Sequence, residues 1–176
     1  WANVSNTPFR EYKHFAHEGG IATPLIAHWT KGIAKKMRGK IDHQPGHLID
    51  LMATCVDLSG LKYPKTFGEH AIDPLEGVSL APAFRGVPLG RKDALYFEHH
   101  LNCAIRDGDW KLVRYGRTGR PAILQPWELY DISKDRVESN NLAQEKPELA
   151  QSLEQKWEAW ANRARVKPWP WKFENK

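Results

Sequence analysis

The chain has 176 residues, 41% of them hydrophobic, and a formal charge of +5; this suits one domain with a real core and excludes disorder by composition. No apolar run approaches the roughly 20 residues of a membrane-spanning helix, so no such span is expected. The 26 Lys and Arg are spread among 21 Asp and Glu rather than gathered in a basic stripe with stacking aromatics, so nucleic acid is not an expected partner.

Residues 1–10 are polar, contain Pro8 and read as a loop. The stretch that follows, "YKHFAHEGGIATPLIAHW", places Lys13, His14, His17 and Glu18 ahead of two glycines and an apolar run. Residues 21–29 are short and apolar enough for a buried strand. The segment "KGIAKKMRGK" carries five cations and reads as a solvated basic linker. In "GHLIDLMATCVDLSG", Leu48, Met52 and Cys55 recur at helical spacing with Ile49 and Val56 beside them, and Gly60 is a natural stop. A helix over 46–59 is predicted.

Residues 61–89 hold four prolines and read as irregular connecting chain, with one helical turn near 80–84. The period then changes to short strand-like runs at 94–100, 103–106, 110–116 and 127–132. Asp107-Gly108 is a hairpin signal between the second and third, so an antiparallel meander of about four strands is expected. In the closing stretch Leu149, Leu153, Trp157, Trp160 and Ala164 form one apolar stripe, with Pro147 and Glu148 at its start and Arg163 and Arg165 at its end. That pattern predicts a long helix covering one face of the meander. The tail "KPWPWKFENK" reads as a loop or tether.

Catalytic motifs of the nucleophile-elbow, P-loop, dinucleotide and zinc-protease kinds are absent from the sequence. Cys55 and Cys103 show no zinc spacing and sit among apolar neighbours, so both are expected as buried thiols; their pairing stays open. Three polar groups remain. Lys13 with His14, His17 and Glu18 reads either as a solvated loop with Glu18 capping a turn, or as a site whose lysine meets an oxyanion. His99, His100 and Asn102 lie at a strand end, where alternation lets at most one histidine face a given pocket. Asp131, Asp135 and Glu138 lack calcium-loop spacing and read as a structural turn.

"NTPFREYKHFAHEGGIATPLIAHW", "HLIDLMATCVDLSG", "LEGVSLAPAFRG", "ALYFEHHLNCAIRDGDWKLV" and "WELYDISKDRVESNNLA", in this order ahead of the final helix, resemble the last third of type I sulfatases, the arylsulfatase family. The resemblance implies an α/β fold of the alkaline-phosphatase superfamily, α+β in its C-terminal part. Residues 1–60 would end the catalytic domain, 61–90 connect, and 91–176 form a small antiparallel subdomain with one packed helix. It implies hydrolysis of a sulfate ester, an aryl sulfate or a sulfated glycan, through a formylglycine and a divalent metal, usually Ca2+. Cys55 is followed by "VDLSG" and Cys103 by "AIRDG", neither of which is a formylglycine motif, so that residue and the metal ligands are expected upstream of Trp1.

Lys13, five positions before Glu18, matches the family's sulfate-contacting lysine. His100 and Asn102, or His99 in the other strand register, are expected at the rim of the substrate pocket. His17 stands where relatives carry an aromatic residue and is assigned no chemistry; Thr30 replaces a common proline. A periplasmic or secreted location is implied. The chain starts at Trp1 and shows no signal peptide, so a fragment or processed product is expected, inactive alone and with the edge of strand 21–29 needing cover. Two other readings stand beside this one. One is a non-catalytic binder of sulfated or acidic polymers that uses the charge and the tryptophans of "KPWPWK"; the other is a phosphate or phosphonate monoester hydrolase on the same fold.

Overall fold

A computed structural model describes residues 1–119 and 121–170. In chain order the regular elements are α1 (Ala2–Ser5), α2 (Glu18–Ile21), α3 (Ile49–Ser59), β1 (Thr66–Phe67), β2 (His70–Ala71), β3 (Leu95–His99), β4 (Asn102–Asp107), β5 (Trp110–Arg114), β6 (Gly116–Arg117), β7 (Ile123–Leu124), β8 (Glu128–Asp131) and α4 (Pro147–Arg163). Two short 3-10 turns, Lys35–Met37 and Ala83–Arg85, complete the list.

Contacts divide the chain into two compact units: Trp1–Pro24 with Asp93–Lys176, and Leu25–Lys92. Residues 10–18 group with the later sheet because buried ionic contacts tie them to it.

In the first unit β3, β4, β5 and β8 form the expected antiparallel meander, in that order. Asp107 pairs with Trp110, so the two-residue turn is Gly108-Asp109, one position later than the dipeptide singled out from the sequence. Gly108 has φ +59, a conformation a residue with a Cβ resists. Strand alternation gives the sheet two faces. Cys103, Ile105, Leu112 and Leu129 pack with Leu153, Trp157 and Ala161 of α4. Ala104, Val113, Tyr130 and Ile132 pack on the other face with Ala16. A helix and an N-terminal segment therefore sandwich the sheet.

Within α4 the predicted stripe is buried at Leu153 and Trp157 and partly at Leu149 and Trp160, but Ala161 replaces Ala164, which caps the helix in the open. Trp169 of the expected tether instead packs against this core, 6.0 Å from Trp157; residues 171–176 lie outside the described part. The small β6–β7 ribbon was not anticipated.

In the second unit α3 runs as expected and ends at Gly60 in the left-handed conformation, φ +68. Its buried face differs from the predicted one. Asp50, Ala53 and Thr54 are buried, whereas Leu48, Met52 and Cys55 are exposed. The helix is fixed by polar anchors: Asp50 accepts the amides of His47 (2.7 Å) and Val78 (2.9 Å) and pairs with Arg91. Thr54 accepts the Leu80 amide at 2.8 Å. The pattern identified an apolar face but not what this unit lays against the helix. Cys55 is thus no buried thiol; Cys103 is, and burial pushes its thiol up to about 12.

Residues 22–29 form no strand, and Leu25, Ile26 and Trp29 are exposed. A strand needs a neighbour for its amides and carbonyls, and none of the described residues pairs here. Pro24, which has no N–H, falls at the division between the units. The connecting stretch contains one unforeseen element, the β1–β2 ribbon. Its anticipated helical turn appears as the 3-10 turn Ala83–Arg85.

Candidate functional site

The site is built on the segment that carries Lys13. Both flanks of that segment are fastened to the sheet, and the fastening begins with the glycines after Glu18. A Cβ on Gly20 would lie 1.9 Å from the Phe15 carbonyl oxygen, and one on Gly19 2.3 Å from the Arg10 oxygen, so only glycine lets the chain close on itself here. The Gly19 amide donates to the Arg10 carbonyl at 2.8 Å, closing a loop over residues 10–19.

One flank is held by Arg10. Its guanidinium donates to the Tyr130 hydroxyl (2.8 Å), the Glu138 carbonyl (2.7 Å) and the Tyr115 hydroxyl (3.1 Å), and approaches Glu128 at 3.4 Å. The other flank is held by His17 and Glu18, both buried. The His17 ring lies 4.2 Å from that of Tyr115, with Nε2 3.3 Å from the Glu128 carboxylate. Glu18 meets the ammonium of Lys111 at 3.0 Å and the guanidinium of Arg136 at 3.3 Å, and its amide donates to Glu138 at 2.8 Å. Lys111 also pairs with Glu138 at 2.8 Å, and neither side chain has measurable exposure. A buried lysine between two carboxylates stands only because each charge has a partner.

Electrostatics follow from this geometry. Burial works against the charge on Glu18, but the Lys111 ammonium, aided by Arg106 and Arg136, outweighs it and holds the carboxyl below the ordinary glutamate range. Burial also opposes ionisation of Glu128. Hydrogen bonds from His17 and Tyr130, with the nearby charge of Arg10, draw its carboxyl down. The Tyr115 hydroxyl is pushed up to about 12, first by burial and then by its hydrogen bond to Glu11.

Between these flanks Lys13 and His14 are exposed. Lys13 forms no ion pair or hydrogen bond among the described residues, so its charge is free for an external anion. His14 stacks on His99, with centroids 5.6 Å apart and planes at 21°. The fold thus brings the first and second polar groups of the sequence together: the Lys13 loop lies against the end of β3. His99 and His100 are both exposed, and their rings are 4.5 Å apart. His100 lies outside the strand, so the strict alternation expected for the pair does not apply. Asn102 is buried; its side chain donates to the carbonyls of His99 and His100 and accepts the Gly116 amide, so it shapes the turn that displays the histidines.

Sequence reading left Arg10, Lys111 and Glu128 without a role. Lys111 carried a usable signal: alternation puts it on the same strand face as Val113, and a lysine facing inward requires a carboxylate. In the acidic turn, Asp135 accepts the amides of Ser139 and Asn140, as anticipated for a structural turn, but Glu138 belongs to the buried ionic cluster. Among the described residues no three His, Cys, Asp or Glu side chains come together in a way that could hold a metal ion.

The chain is similar to an uncharacterised sulfatase of Schizosaccharomyces pombe, 29% identical over 160 residues, covering 89% of this chain and 28% of that protein. It is also similar to the N-acetylgalactosamine-6-sulfatase of the dog, 34% identical over 107 residues, covering 61% of this chain and 19% of the relative. The solved structure of Ps i-CgsB shares the fold with a TM-score of 0.67 and 25% identity over 89% of this chain and 32% of that one. The chain therefore spans well under a third of the curated relatives named here. The family described as N-sulphoglucosamine sulphohydrolase, C-terminal, matches residues 10–163, which includes the Lys13 loop, the meander and α4; the chain belongs to this family of sulfatase C-terminal regions.

Proposed function

We propose that this chain serves as the C-terminal portion of an enzyme that hydrolyses sulfate esters, and that Lys13 contacts the sulfate. The observation that carries the reading is the Lys13 loop: an unpaired, exposed cation between two flanks fixed by buried ionic contacts. Such an arrangement presents charge to an anion with little reorganisation, which is what stabilising developing negative charge on ester oxygens requires. His99 and His100 border the same surface, and Asn102 holds them there. The formylglycine nucleophile and calcium belong to residues outside 1–176 in this proposal, as does a periplasmic or secreted location.

Lys13→Ala in a complete protein that contains these residues is expected to lower kcat for an aryl sulfate or a sulfated sugar by roughly 10²–10³-fold, the scale of losing one oxyanion donor. The fold should stay intact, as judged by an unchanged urea midpoint, because Lys13 supports no other residue. An unchanged kcat removes Lys13 from the chemistry. Retained binding of sulfated sugars without any turnover in that complete protein favours the non-catalytic reading.

A further inference from the structure

The end of the sheet remote from the Lys13 loop carries a cavity of about 280 Å³, with Trp110 and Leu142 as its apolar lining. Trp110 opens β5; Arg114 closes it and precedes Tyr115, which contacts Arg10 and His17. Four steps of strand, about 13 Å, therefore separate the cavity from the anchors of the loop. The volume lies at the small end of ligand sites, which run from roughly 300 to 1,000 Å³, so it suits one ring and not an extended chain.

Local hydrogen bonds fix its walls. In the turn after β8 the amides of Lys134 and Asp135 donate to the Asp131 carbonyl at 3.1 and 2.8 Å. The Asp135 carboxylate accepts the amides of Ser139 and Asn140 at 2.8 and 2.9 Å. Ahead of α4 the Leu142 amide donates to the Leu129 carbonyl at 2.8 Å, and the Lys146 amide to the Leu142 carbonyl at 2.9 Å. Walls already ordered spare a ligand the entropy of ordering them.

The lining residues keep polar capacity that the fold does not use. Among the described residues neither the Trp110 indole N–H nor the Asn140 side-chain amide makes a hydrogen bond. Lys146 Nζ pairs with no carboxylate there and stands 5.7 Å from the Trp110 ring centroid. Its flexible stem lets the ammonium leave the ring for a better acceptor. Asp131 accepts from the Ser133 amide and hydroxyl and from Lys134, which leaves acceptor capacity on a carboxylate with about four lone-pair sites.

Charge decides the ligand class. The carboxylates of Asp131 and Asp135 offset the ammoniums of Lys134 and Lys146, so the cavity selects neither an anion nor a cation. An indole ringed by both donors and acceptors matches a ring with an apolar C–H face and a rim of hydroxyls. We propose that this cavity is a non-catalytic platform for an uncharged pyranose, stacked on Trp110 with its hydroxyls on Asn140, Asp131 and Lys146. The inference does not rest on Lys13 as the sulfate contact, because the ligand carries no sulfate and the cavity lies at the other end of the sheet.

The test titrates a complete protein that contains these residues, by calorimetry, with unsulfated β-1,4-linked tetrasaccharides of glucose, mannose and galactose. At least one should bind with a Kd below about 1 mM. Trp110→Ala should weaken that binding about tenfold or more, the scale of losing an aromatic anchor, and Trp110→Tyr by about threefold or less. Asn140→Ala, at an exposed position, should weaken it about threefold with an unchanged melting temperature. Should Trp110→Ala fail to fold, Asn140→Ala decides alone. Lys13→Ala should leave the affinity unchanged; a loss there places the sugar at the Lys13 loop and overturns the platform. No binding of any of the three sugars overturns it too, as does an affinity that survives both Trp110→Ala and Asn140→Ala. None of these outcomes bears on the sulfate contact of Lys13, which turnover of the Lys13→Ala variant decides separately.

Discussion

The helices α3 and α4 carry similar apolar periodicities and meet opposite fates. In α4 the stripe closes on the meander, with Leu153, Trp157 and Ala161 buried against Cys103, Ile105, Leu112 and Leu129. In α3 the apolar positions Leu48, Met52 and Leu58 are exposed, and the helix is held through buried Asp50 and Thr54. Periodicity tells which face of a helix requires cover. It does not tell whether the nearby chain provides it, since that depends on which elements the tertiary fold brings alongside.

That contrast can be broken most forcefully in the first unit. Trp157→Ala should destabilise it by about 3–5 kcal/mol, as large aromatic deletions from cores do. Met52→Ala in α3 should change stability by less than about 0.5 kcal/mol. Urea unfolding followed by tryptophan fluorescence measures the first, and far-UV circular dichroism the second; comparable losses would mean that α3 is covered as α4 is.

A similar loss is expected where the core is ionic rather than apolar. Lys111→Met leaves Glu138 buried without its cation and Glu18 with Arg136 alone, and should cost about 3–5 kcal/mol. Replacing Glu18 and Glu138 by Gln in the same protein should recover part of the loss. No recovery in the triple variant would show that Lys111 contributes through its packing and not its charge.

A smaller effect concerns acid. Glu18 and Glu128 have carboxyls held below the ordinary value of 4.5, so the folded state binds fewer protons than the unfolded one as pH falls past it. Their contribution to stability is therefore present in full above that value and is lost as pH drops through the lowered folded-state values. Urea midpoints measured from neutral to acid pH should fall most steeply there, and Glu128→Gln should flatten the slope. A slope that does not change in this variant would assign the acid sensitivity to other carboxylates.

Much of the first unit was legible from the sequence. The four strand runs, the Gly108 turn and the α4 stripe follow from periods of two and about 3.6, with glycine and proline as punctuation, and each rests on neighbours close in the chain. The buried strand over 21–29 failed because an apolar run states a need for pairing without identifying the partner. The ionic cluster was missed for a related reason. Arg10, Lys111, Glu128 and Glu138 are distant in sequence, and nothing local distinguishes a lysine buried between two carboxylates from one in solvent.

The sequence by itself determined the meander and the long helix, both of which depend on local spacing. Only the tertiary structure decided that residues 10–18 cover the second face of the sheet, that Lys111 joins Glu18 to Glu138, and that His14 stacks on His99. Apart from the Lys111–Glu138 pair, those contacts join residues some 85 to 120 positions apart. Charge pairing and ring stacking leave no period in the chain; they exist only once the sheet has formed and the loop has folded against it.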